Sequence, residues 1–334
     1  MCPLLYTNTS IIISAYNIEQ YISRCLDSVI NQSYKNIDIV VVNDGSTDNT
    51  LNIIKDYSNK DNRINIVNQD NKGLIEARKS GLKIACGEYI LFLDGDDWLH
   101  TQAIEKLYKK AIQDDSDIVL YNFYLAYDSN KLKAQKSFEE TVKYEDDYLK
   151  LSLTGQIGAN IWAKFLRREF LIDNNIEFVK DITYAEDVAT TNLLFMYSPK
   201  VSTIDENLHY YYQRGNSVTK IVDERLFDIP KALNFIKLNL EKQGLYEKYK
   251  EEYGYLYYKH IYFYQIISAT HYIDIHKKLY KIWKSTKIDI RNNKYFIDFK
   301  DQMTNGLKVK IEMFDRSYYL GVAYIKFRSI LKNN

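Results

Sequence analysis

From Ser10 to Asn122, short apolar runs rich in β-branched residues alternate with stretches in which apolar residues recur every third or fourth position. SIIIS at 10–14 predicts a first strand, and Ile22, Leu26, Val29 and Ile30 predict a helix over 19–31. IDIVVV at 37–42 reads as a second strand, followed by a helix over 48–57 whose cap lies in GSTDNT. INIV at 64–67, a helix over 74–85, YILFLD at 89–94, a helix over 101–113 and DIVLYN at 117–122 continue the alternation. Strands apolar on both faces, separated by helices of about ten residues, predict an α/β fold with a largely parallel sheet covered on both sides. Ligands of such sheets bind beyond the carboxyl ends of the strands. Four loops are expected at that rim: 15–17, 43–48, 68–73 and 94–98.

Further on, residues 128–144 are charged and poorly periodic and read as an excursion or lid. Residues 165–170 and 187–196 predict helices, and KVSTIDENLHYYYQRG predicts one or two strands. Beyond Asp223 the spacing turns helical, over 226–242, 250–268 and 275–283. This sets a boundary near residue 220, between a first domain, 1–220, with halves 1–122 and 123–220, and a helical region, 221–334. A chain of 334 residues is long enough for two cores, which agrees with that division.

Composition narrows the class. Hydrophobic residues make up 46% and charged residues 27%, the balance of a soluble globular protein. A net charge of +1 gives no argument for nucleic acid as a partner. The three cysteines, Cys2, Cys25 and Cys86, have the spacing of neither a disulfide framework nor a zinc site. There is no basic leader and no long apolar run, so the expected location is cytoplasmic. The 31 tyrosines, dense in the second half, suit carbohydrate or a membrane surface, or ordinary core and surface packing.

Two acidic loops carry the candidate chemistry. DGDDW ends the fourth strand with Asp94, Asp96 and Asp97, and such close carboxylates repel unless a cation or hydrogen-bond donors sit among them. A hard divalent ion, Mn²⁺ or Mg²⁺, takes oxygen ligands and often keeps a diphosphate in its shell. Gly95 is expected to let the backbone turn sharply there. In VVVNDGSTDNT, Asp44 is placed to accept hydrogen bonds from a base or ribose, beside Ser46 and Asp48. Neither G-x-G-x-x-G nor G-x-x-x-x-G-K-[ST] occurs. Plain helix capping would account for either loop in part.

SIIISAYNIEQYISRCLDSVINQSY, IDIVVVNDGSTDNT, DNKGLIEARKSGL and GEYILFLDGDDW, in that order, resemble inverting glycosyltransferase family 2, specifically over about residues 9–122. The resemblance implies the GT-A nucleotide-diphospho-sugar transferase fold and a UDP-sugar donor. It places Ala15, Tyr16, Asn17, Asp44 and Ser46 around the base, Arg78 near the nucleotide, Asp94 on the ribose or sugar side, and Asp96 on the metal between the phosphates. Glu186 and Asp187 in ITYAEDVATTNLLF resemble the family's acidic pair, with Asp187 as base and Glu186 as its neighbour or substitute. NIWAKFLRREF resembles the stretch joining donor and acceptor subsites, with Trp162 against a sugar face or buried as an anchor, and Lys164 near acceptor or phosphate. YYYQRGNSVT resembles the capsule and lipopolysaccharide branch, with Arg214 and Ser217 in a loop that closes over the diphosphate.

The implied acceptor is a saccharide or lipid-linked saccharide in bacterial surface polysaccharide synthesis. The Tyr- and Lys-rich tail suits peripheral contact with the inner membrane face or a homo-oligomer interface. Two rival functions remain at this level. One is a non-catalytic carbohydrate-binding or scaffolding protein on the same fold. The other is a sugar-phosphate nucleotidyltransferase, which expects a basic Gly-rich loop after the first strand where SAYNIEQYIS stands.

Overall fold

A computed structural model describes residues 7–139, 142, 147–176, 178–179, 181–197, 199–214, 222–269 and 274–333. The chain divides into two compact units, residues 1–152 with 156–220, and residues 153–155 with 221–334.

The first unit is built on one mixed sheet, of nine strands among the described residues. Strands β1 (Thr9–Ala15), β2 (Ile37–Asp44), β3 (Ile64–Gln69) and β4 (Tyr89–Asp94) are mutually parallel in the order β3-β2-β1-β4. Helices α1 (Ile22–Ile30), α2 (Thr50–Ser58) and α3 (Leu74–Ile84) connect them. The two-residue β5 (Trp98–Leu99) and helix α4 (Ala103–Gln113) follow. One face of the sheet, with Ile11, Ile13, Val41 and Leu91, is sealed by Ile22, Leu26 and Val29 of α1 and by Leu107 and Ala111 of α4. Alternation of Cβ direction along a strand sends Ile12, Val40 and Val42 to the other face, also fully buried, so the strands are apolar on both sides.

Beyond β4 the sheet departs from the simple alternation. Strands β6 (Ile118–Ala126) and β7 (Leu132–Gln135) form a hairpin, so part of the charged excursion is a strand. The helix predicted at 165–170 is a strand for its first half: β8 (Lys164–Arg167) lies antiparallel between β4 and β6, and only then does α6 (Arg168–Asp173) begin. Phe165 and Leu166 are fully buried there, and pairing on both edges overrides a local spacing that fits a helix. After α5 (Tyr148–Thr154), α6 and α7 (Glu186–Met196), the long β9 (Val201–Tyr212) runs parallel to β6 and carries β5 on its other edge.

The second unit is helical: α8 (Asp228–Lys242), α9 (Tyr246–Tyr257), a π-helical stretch Tyr258–Ile267, α10 (Asp274–Ser285), α11 (Lys294–Asp301), α12 (Asn305–Arg316) and α13 (Tyr318–Asn333). Tyr253, Tyr255, Tyr258 and Tyr262 are buried, so much of the tyrosine excess is core packing. Of the cysteines, Cys25 is free and buried.

Candidate active site

Parallel register brings the strand ends to one rim. Ser14 lies beside Asp94, Ala15 beside Asn43, Asn43 beside Asn68, and Asp44 beside Gln69. The loops that leave these strands are tied together through their backbones. The Asn17 side chain accepts from the Thr47 N–H (2.8 Å), the Asn17 N–H donates to Ser46 Oγ (3.1 Å), and the Glu19 N–H donates to Asp48 (3.1 Å). Asn17 adopts a left-handed backbone, φ 49°, which asparagine tolerates better than most residues.

Asp44 is nearly buried and accepts from Gln69 Nε2 (2.7 Å) and from the N–H groups of Lys72 (2.9 Å) and Gly73 (2.8 Å). Two adjoining clefts open here. One, of about 350 Å³, is lined by Asn17, Glu19, Tyr21, Asp48 and Arg214. The other, of about 450 Å³, is lined by Asn43, Gly45, Ser46, Asn68 and Lys72. Tyr16 is exposed beside them and Ala15 is buried at the strand end.

The DGDDW turn sends its carboxylates three ways. Asp94 meets Arg78 Nη2 at 3.3 Å, and Asp96 pairs with Arg214. Asp97 turns inward, fully buried, to His209 Nε2 and the Tyr212 N–H, both at 2.8 Å. Burial pushes the Asp97 carboxyl well up and the His209 imidazole down to about 3, so this pair is structural. Burial and the neighbouring Asp94 raise the Asp96 carboxyl as well, against Arg214.

Gly95 is required for a reason other than the one expected. Its backbone is not left-handed, but a Cβ would stand 2.4 Å from Ile18 Cδ1 and 2.9 Å from the Ser14 carbonyl oxygen. A similar contact seats Arg78: at Gly81, one turn further along α3, a Cβ would meet Ile12 Cγ2 at 2.3 Å, so α3 lies directly on the sheet. Arg78 is 1% exposed.

Arg78 also reaches Asp187 Oδ1 at 2.9 Å, across 109 positions of sequence. One guanidinium therefore joins the acidic turn to the first turn of α7. Burial disfavours its charge, but Asp187 and Asp94 outweigh that and hold its pKa above the ordinary value. Burial raises the Asp187 carboxyl, Arg78 opposes this, and Asp94 adds to it. Glu186 is pushed up to about 7 by burial and by Asp187.

Segment 158–161 backs α7. Thr191 Oγ1 donates to the Ala159 carbonyl (2.8 Å), and the Ile161 N–H points to Asp187 Oδ2 at 3.5 Å. Lys164 lies inside, not at the acceptor or phosphate face: its ammonium is buried and donates to the carbonyls of Gly158 (2.7 Å) and Asn160 (2.8 Å). Burial lowers it to about 7. Trp162 is likewise an anchor, stacked 4.6 Å from His209 and edge-on to Phe123 at 4.8 Å, which leaves no face for a sugar. Ser217 lies outside the described residues.

Arg24 was not singled out by spacing or motif. Its guanidinium covers the Trp98 ring at 3.8 Å and donates to the Asp96 carbonyl at 3.0 Å, holding the acidic turn from α1. Among the described residues no three His, Cys, Asp or Glu side chains group to hold a metal ion. Asp94 and Asp96 are two hard oxygen ligands at an open rim, a set that fits a cation arriving with a diphosphate, since Mg²⁺ is usually held by one or two carboxylates plus phosphates.

Residues 10–174 match the model of "Glycosyl transferase family 2". The chain is 34% identical over 66% of its length to the uncharacterized glycosyltransferase EpsJ of Bacillus subtilis, covering 64% of it. It is 32% identical over 65% of its length to glycosyltransferase GlyA of Streptococcus pneumoniae, covering 32% of it. The chain thus spans about a third of one relative and just under two thirds of the other. The crystal structure of S. aureus TarS 1–349 with UDP-GlcNAc superposes with a TM-score of 0.67 at 23% identity, over 82% of this chain and 79% of that one. At that identity the likeness is one of fold, and the fold is the GT-A type.

Proposed function

The chain belongs to glycosyl transferase family 2, and on that premise we propose that it moves one sugar from a UDP-sugar to a saccharide or lipid-linked saccharide acceptor, with inversion, in bacterial surface polysaccharide synthesis. The observation that carries the reading is the single buried guanidinium of Arg78 between Asp94 and Asp187. It couples a carboxylate turn suited to a diphosphate with a carboxylate suited to an attacking hydroxyl. The UDP-GlcNAc held by TarS, a protein of like fold, supports a uridine donor in the clefts beside Asp44.

Inversion takes one displacement. The acceptor oxygen bonds to the anomeric carbon as that carbon's bond to the diphosphate oxygen breaks, and the hydroxyl proton passes to a carboxylate base. We assign the base to Asp187, oriented by Arg78, with Glu186 beside it. Arg214, paired with Asp96 at the rim, is the cation of this chain placed to follow the departing diphosphate. A Mn²⁺ or Mg²⁺ ion on Asp96 and Asp94 supplies, when bound, further positive charge for that group. A lipid-linked acceptor would bring the protein to the inner face of the cell membrane.

Thermal stabilisation by a panel of nucleotide-sugars, with Mn²⁺ or with chelator, tests the donor and the metal together. A UDP-sugar is expected to raise Tm, and more so with the ion. Proton NMR of the first-formed glycoside tests the stereochemistry. No response to any UDP-sugar, or retention of the donor's anomeric configuration, would refute the reading.

A further inference from the structure

Exposed large apolar residues are scattered singly over most of the molecule, as is normal for a protein surface. Helix α13 is different. Tyr319 (66% exposed), Leu320 (49%), Phe327 (61%) and Ile330 (60%) all project from it, with the exposed Ala323 among them. At 3.6 residues per turn these five positions fall within roughly 100° of the helix circumference. They form a continuous stripe, the width with which a surface helix ordinarily faces a core.

The side of α13 that faces the protein is already in use. A Cβ on Gly321 would meet the Phe314 ring of α12 at 2.3 Å, and Tyr318 packs edge-on against the same ring, 6.0 Å between centroids. The exposed stripe therefore lies on a helix already fixed by its other side. Its charge points to what covers the stripe. Helix α13 carries Lys326, Arg328 and Lys332 and no acidic residue. Lys326 and Arg328 are exposed, and the Lys277 ammonium of α10 lies 5.0 Å from the Tyr319 ring.

We infer that α13 docks in the plane of an anionic phospholipid surface, with the stripe in the acyl boundary and Lys326 and Lys277 at the headgroups. Aromatic and aliphatic side chains on one face with basic side chains beside them are what such a helix requires. Among the described residues no helix is long and apolar enough to cross a membrane, so α13 lies on the bilayer. The docking needs neither donor nor acceptor, and it goes beyond the transfer reaction.

The test is co-sedimentation of the full chain with phosphatidylcholine vesicles, with and without 30% phosphatidylglycerol, beside the F327S/I330S variant. Both positions are solvent-exposed, so the variant is expected to melt like the native chain and to respond identically to nucleotide-sugars. Native protein should partition several-fold better onto the anionic vesicles, and added salt should weaken it. The variant should lose about tenfold or more in partitioning. Native protein that stays in solution, or a variant that partitions equally well, would overturn the assignment. So would light scattering that shows a native dimer, a monomeric variant and no vesicle binding, because the stripe would then be covered by a second copy.

Discussion

The two carboxylate clusters of the candidate site are held differently. In the turn after β4 each acidic side chain has a different partner: Arg78 for Asp94, Arg214 for Asp96, and His209 with a backbone N–H for Asp97. At the start of α7, Asp187 shares Arg78 with Asp94, and Glu186 has no ion-pair partner among the described residues. The first arrangement fixes each carboxyl in place by its own contact. In the second, burial raises both carboxyls, Glu186 to about 7 and Asp187 above its ordinary value, which suits a pair of which one member takes up a proton. The two clusters meet at one guanidinium, that of Arg78.

The largest break in this comparison is removal of the shared residue. Arg78→Met should cost about 3–5 kcal/mol of stability, because it strips a buried cation from two carboxylates at once. Urea denaturation measures it, and a loss under about 1 kcal/mol would mean that Arg78 does not hold the clusters together. Arg78→Lys should recover only part, since one ammonium cannot span two carboxylates as a planar fork does.

Next in size are two rate effects that separate the clusters. Asp187→Asn should keep UDP-sugar affinity within a few-fold while transfer falls by about 10²-fold or more. Asp96→Asn should also slow transfer, by at least about tenfold, and should weaken the dependence of donor binding on divalent ion. Titration calorimetry with and without chelator, run on both variants, distinguishes them. If both lose donor binding equally, the division of labour between the loops is wrong.

Much of residues 1–122 was legible because its determinants are local. β-branched runs, amphipathic spacing and the Asn/Asp/Gly/Ser turns placed β1 to β4, their helices and the four rim loops within a few residues. Residues 123–220 were read less well because their determinants are distant. Lys164 and Trp162 look like surface chemistry in sequence, yet the insertion of β8 between β4 and β6 carries both into the interior. The Arg78–Asp187 contact spans 109 positions, and the turn's hold on Arg24 rests on a ring stack; neither leaves a periodic mark. Gly95 was singled out, but its reason, the close approach of the Ser14 carbonyl oxygen, could only be seen once β1 and β4 were side by side.

The smallest effect sharpens the comparison most, because it asks which of the paired acids at α7 carries the proton. Burial and Asp187 raise Glu186 to about 7, so the folded protein holds that proton more tightly than the unfolded chain does. The stabilisation is therefore complete below the ordinary glutamate range and is lost as pH rises through about 7. Glu186→Gln removes the titrating group. The variant should gain on the order of 1 kcal/mol relative to native protein at pH 8 and show no gain near pH 4, read from urea midpoints at the two values. In kinetics the same variant separates the roles. With Asp187 as base, Glu186→Gln should keep the transfer rate within a few-fold and shift only the acid limb of its pH profile, since a neighbouring negative charge is gone. A fall of about 10²-fold in Glu186→Gln, with Asp187→Asn nearly unchanged, would move the base to Glu186 and leave Asp187 to anchor Arg78.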